Sequence, residues 1–74
     1  MITIAERRRM RKAHSIGPRM IEYLGEIGIE RLEDLRDADA RTLALRINAI
    51  LNRPQINAAG VKALQNLIDL ANSA

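Results

Sequence analysis

Apolar residues fall at helical spacing along nearly the whole of this 74-residue chain. Met20, Ile21, Leu24 and Ile27 lie three or four positions apart, while Glu22, Tyr23, Gly25 and Glu26 fall off that stripe, which predicts one buried helical face. Gly17-Pro18 opens this helix, because proline's fixed φ suits the first helical position and its missing N–H costs nothing there. Gly28 closes it in a left-handed conformation, and Ile29 folds back on the last turn. The helix is therefore expected over about Pro18–Ile27.

Upstream, Thr3 and Glu6 have the spacing of a capping box, and a first helix is expected over about Ile4–Ala13. Its apolar positions, Ala5, Met10 and Ala13, are few, and its first residues are expected to fray. A short third helix spans about Glu30 or Arg31 to Leu35, with Ile29, Leu32 and Leu35 inward. Asp37 or Asp39 caps a fourth, about Ala40–Leu51, whose stripe is Leu43, Ile47, Ile50 and either Ala44 or Leu51. Asn52-Arg53-Pro54 breaks the chain, since proline turns the preceding residue away from helix. Asn57 then caps a last helix, about Ala58–Asn72, with Val61, Leu64, Leu67, Ile68 and Ala71 facing the core. No stretch alternates with period two and valine occurs once, so no sheet is expected. The prediction is an all-α fold: one domain over residues 1–74, a bundle of four to five short helices, with residues 1–4 and 73–74 frayed.

The octets Gly17–Leu24 and Gly60–Leu67 echo each other: glycine, a cation two positions on, an apolar residue fifth and leucine eighth. The helix-forming Ala58-Ala59 before Gly60 favours coincidence. A degenerate second hairpin is the alternative.

Charge adds a division that the apolar pattern lacks. The net charge is +3, but residues 1–19 carry six cations against Glu6, a balance of +5. Residues 20–39 carry two cations and seven carboxylates, a balance of −5. The split points to a basic surface around the turn near Gly17 and an acidic one elsewhere, or to head-to-tail association of copies. The acids Glu30, Glu33, Asp34, Asp37 and Asp39 lack the spacing of a calcium loop and are better explained as helix caps and solvated side chains. Arg7-Arg8-Arg9 cannot share one helix face.

Composition removes several chemistries. There is no cysteine and one histidine, which excludes disulfides and thiol chemistry and leaves no ligand set for a structural zinc. No Walker-type glycine loop is present, and Ser15 and Ser73 sit in no nucleophile motif, so a non-enzymatic protein without cofactor or small-molecule substrate is expected. No run is long enough to span a bilayer, and Met1–Glu6 has no apolar core of a secretory signal, so a cytoplasmic location is expected. Tyr23 is the sole aromatic, which disfavours single-strand binding by base stacking.

Helix, tight turn at Ile16-Gly17-Pro18, helix: this order resembles the helix-hairpin-helix motif. Ser15 stands where that motif has its first hairpin glycine, His14 where it has proline, and Ile21 where it has a small residue. Over about residues 9–71 the chain resembles the small "pathogenicity locus" family of helix-hairpin-helix proteins. The shared elements are Ile16-Gly17-Pro18, Ile27-Gly28-Ile29, Leu32-Glu33-Asp34-Leu35, the acidic cap at Asp37 to Asp39, and Asp69-Leu70-Ala71-Asn72. The C-terminal domain of the competence regulator TfoX is a more distant likeness.

The resemblance implies a helical fold of SAM-like type and contact with duplex DNA. In such a hairpin the turn amides and the N-terminus of the second helix face a phosphate together. Carried onto this chain, the contacts are the amides of Ser15, Ile16, Gly17 and Arg19, with the charges of Arg19, Arg11 and Lys12. These read backbone and not bases, so binding is expected to be salt-dependent and weakly sequence-specific. His14, beside the turn, would add mild pH sensitivity if it touched phosphate. A positive φ at the glycine-equivalent Ser15 would strain the serine. The alternative is a protein-interaction module, pairing the basic first helix with an acidic partner or with the 30–39 face of a second copy in a homodimer.

Overall fold

A computed structural model describes residues 2–53 and 55–73. Thr3 caps the first helix, α1 (Ile4–Met10), its hydroxyl accepting from the Glu6 N–H at 3.2 Å. The reciprocal half of the capping box is replaced: the Glu6 carboxylate turns to the Leu32 N–H at 2.9 Å and to Arg9. α1 ends three residues before the expected Ala13. The chain tightens there into i→i−3 bonds, Lys12 to the Arg9 carbonyl and Ala13 to that of Met10, which brings Ile16 back to the Ala13 carbonyl at 3.4 Å.

Gly17 is the N-cap of α2 (Pro18–Glu26), with Pro18 at its first position. The C-terminus closes as a Schellman motif: Gly28 has φ +92°, its N–H donates to Gly25, and Ile29 N–H donates to Leu24 at 3.0 Å. The short third helix is a 3-10 helix, Leu32–Leu35, with Ile29, Leu32 and Leu35 all buried. Asp39, not Asp37, caps α3 (Ala40–Leu51), accepting from the Thr42 N–H at 2.9 Å and its hydroxyl at 2.8 Å. Asn57 caps α4 (Ala58–Ser73) through the Gly60 N–H at 3.0 Å. Among the described residues there is no strand, and the expected all-α bundle is the fold. Its radius of gyration, 10.9 Å, is close to the ~11 Å of a compact chain this long.

One core joins all five elements. Met10, Ile21, Leu24, Leu35, Ile47, Leu64, Leu67 and Ile68 are its largest fully enclosed side chains. Three sequence expectations shift. Ala5 is exposed, so α1 meets the core through Met10 alone. The α3 stripe is Ala40, Leu43, Ala44 and Ile47, with Leu51 half-buried beyond it, and Ile50 is left 51 % exposed. At the N-terminus Ile2 does not fray: it is buried, its side chain lying over Gly25, and Arg7 Nε holds its carbonyl at 3.3 Å. Residues 1 and 74, also expected to fray, lie outside the described residues, as does Pro54 of the break.

Gly60 occupies the third position of α4, whereas Gly17 precedes α2. The two echoing octets therefore sit in different helical registers, and the second has no glycine turn before its helix.

Candidate nucleic-acid interface

The segment between α1 and α2 turns on Ser15, whose φ of +68° is left-handed. Serine there takes the conformation for which glycine is the usual solution. The turn is held from outside itself: Asn66 Nδ2, on α4, donates to the His14 carbonyl at 3.1 Å. Ile16 is buried and anchors the turn to the core, while Arg11, Lys12, His14, Ser15 and Arg19 are exposed.

At the mouth of α2 the cap residue is Gly17, in extended conformation and without a capping side chain. Thr3, Asp39 and Asn57 each give α1, α3 and α4 an oxygen there. Pro18 has no N–H, so the Arg19 and Met20 amides are the first donors of α2, and no acidic residue lies in its first turn. A Cβ built on Gly17 would meet nothing within 4 Å, so the backbone is open to close approach. Of the expected amide donors, that of Ile16 is turned inward to Ala13. Those of Ser15, Gly17 and Arg19 make no hydrogen bond to a described residue, apart from the ordinary helical pattern.

The arginine run divides its work. Arg9 Nη2 meets Glu33 Oε2 at 2.6 Å and Nη1 bonds both Glu33 and Glu6, so α1 is clamped to the 3-10 helix. The hydrogen bonds to Glu33 and Glu6 raise the Arg9 pKa further above its ordinary value, and Arg9 in turn holds Glu33 down to about 2. Arg7 bonds Ile2, while Arg8 is exposed. By contrast Arg11, Lys12 and Arg19 form no ion pair with any described residue. The acidic segment is largely occupied: Asp34 accepts from the Glu30 and Arg31 N–H groups, which lower its pKa, and Asp39 is lowered by its bonds to Thr42. Among the described residues no acidic or histidine cluster is arranged to hold a metal, and no helix is long and apolar enough to cross a membrane.

Sequence reasoning missed Asn66 and the Arg9–Glu33 clamp. Both join residues more than twenty positions apart, and neither leaves a local signal. Comparison with protein-family models, with curated proteins and with solved structures gives no match.

Proposed function

We propose that this protein is a non-enzymatic duplex DNA-binding module that takes a backbone phosphate at the α1–α2 turn. The observation that carries the reading is the uncapped N-terminus of α2, presented by a left-handed Ser15 turn and flanked by exposed, unpaired Arg11, Lys12 and Arg19. The Arg19 and Met20 amides and the helix dipole supply fixed partial positive charge, and the side chains add full charges around it. Ser15 and Gly17 contribute amides, with the Ser15 hydroxyl beside them. Ile16 contributes by fixing the turn. This arrangement grips phosphate and reaches no base edge, so it is largely indifferent to sequence.

The alternative, self-association of the basic first helix with the 30–39 face of a second copy, has fewer free charges to draw on than the sequence alone suggests. Arg9 already meets Glu33, and Glu6 already meets the Leu32 N–H. One complementary pair seen in the sequence, Arg9 with Glu33, is thus used internally.

The test is fluorescence anisotropy of labelled duplex DNA with wild type and with Arg19→Ala/Lys12→Ala, across a salt series. Loss of two phosphate contacts should make the log–log salt slope shallower by about 2 and weaken binding to unrelated sequences alike. No binding at low salt, or a double variant that binds like wild type, would overturn the reading.

A further inference from the structure

A second surface lies on other elements. Between α3 and the start of α4 runs an open groove of about 310 Å3, lined by Arg41, Ala44, Leu45, Asn48, Ile56 and Val61. Its floor is fixed: Asn48 Oδ1 accepts from the Ile56 N–H at 2.8 Å, locking the segment before α4 to α3. Leu45 stands at its edge, 69 % exposed. From Ala40 to Ile68 the sequence holds Arg41, Arg46, Arg53 and Lys62 and no carboxylate. Arg46 is taken by the Ile27 carbonyl at 2.8 Å, while Arg41, Arg53 and Lys62 are exposed and form no ion pair with a described residue. The adjacent acid, Asp39, is engaged by Thr42. The apolar groove thus carries one cation in its lining, Arg41, with exposed Lys62 next in sequence to the lining residue Val61, and no carboxylate in its lining.

We propose that this groove docks an acidic amphipathic helix of a partner protein. Its apolar stripe would lie against Leu45, Ile56 and Val61, and its flanking carboxylates would face Arg41 and Lys62. A helix fits because it satisfies its own backbone, and no strand edge exists among the described residues for an extended segment to complete. A nucleic acid would meet the cations but leave Leu45 and Ile56 without a role. A second copy does not fit the description either. The exposed carboxylates on this chain's α-helices that form no ion pair with a described residue, Glu22 and Glu26 of α2 and Asp69 of α4, lie on helices whose apolar stripes are buried in its own core. The proposal is independent of the α1–α2 turn and stands or falls without it.

The probe is a labelled, helix-stabilised peptide of about four turns, with a leucine stripe flanked by glutamates, and a control with lysines in their place. Anisotropy should show saturable 1:1 binding, at least about tenfold tighter for the glutamate peptide. Leu45→Ser and Arg41→Glu, both at exposed positions, should each weaken it about tenfold with unchanged circular dichroism and unchanged affinity for duplex DNA. No binding, equal binding of the two peptides, or indifference to both substitutions would overturn the proposal. So would self-association that Leu45→Ser abolishes, which assigns the groove to a second copy, or loss of DNA affinity in both variants, which assigns it to nucleic acid.

Discussion

Replacing Ser15 by glycine tests the turn on which the account of the α1–α2 surface depends. At φ +68° the serine Cβ crowds the backbone, a strain of about 1–2 kcal/mol for an L-residue in this region. Glycine removes it but gives up about 0.5–1 kcal/mol through the greater freedom of the unfolded chain. The side chain is exposed and its hydroxyl bonds no described residue, so nothing else is lost. The balance is a gain of roughly 0.5–1 kcal/mol. For a domain of this size that raises Tm by about 2–8 °C, readable by far-UV circular dichroism with urea unfolding as a second measure. Ser15→Ala keeps the Cβ and should stay within about 0.5 kcal/mol of wild type. A glycine variant less stable than both would mean that Ser15 is not left-handed and that the turn has another shape. DNA affinity of the glycine variant should match wild type if the amide makes the contact, and fall if the hydroxyl does.

Further expectations follow from the packing. Gly25→Ala should stabilise by about 0.5–1 kcal/mol, since the new Cβ meets Ile2 Cγ1 at an ordinary 3.8 Å and alanine is the better helix former; chemical denaturation measures it. Leu24→Ala empties a fully enclosed site on α2 and should cost about 2–5 kcal/mol, a large share of the ~4–11 kcal/mol expected for a chain this long, leaving a broadened or lost thermal transition. Glu33, held at about 2 by Arg9, favours the folded state fully above the ordinary carboxylate pKa, and this contribution disappears as pH falls toward 2. Urea midpoints should therefore fall over that acid range in wild type, and fall less steeply in Glu33→Gln.

The helices were legible because their signals are local. Pro18, Gly28, Asp39 and Asn57 mark starts and stops through their own φ preferences or side-chain oxygens, and each performs the expected task. The end of α1 carries no such mark. Arg11 to Ala13 contains neither glycine nor proline, yet the helix gives way there to i→i−3 bonds. Ile50 fits the stripe by spacing yet is half exposed, because spacing does not show which of those positions a neighbouring element covers. At the candidate site the exposed cations and the glycine cap could be read from sequence. The inward amide of Ile16 and the Asn66 anchor could not, since both depend on how the turn closes in three dimensions.

The most direct measurement of the central claim is a 1H–15N correlation spectrum recorded as duplex DNA is added at low salt. The account predicts that the largest shifts fall on the amides of Ser15, Gly17, Arg19 and Met20, with smaller ones at Arg11 and Lys12, and that salt reverses them. Shifts centred on the α3–α4 groove instead, or a spectrum that DNA leaves unchanged, would contradict it.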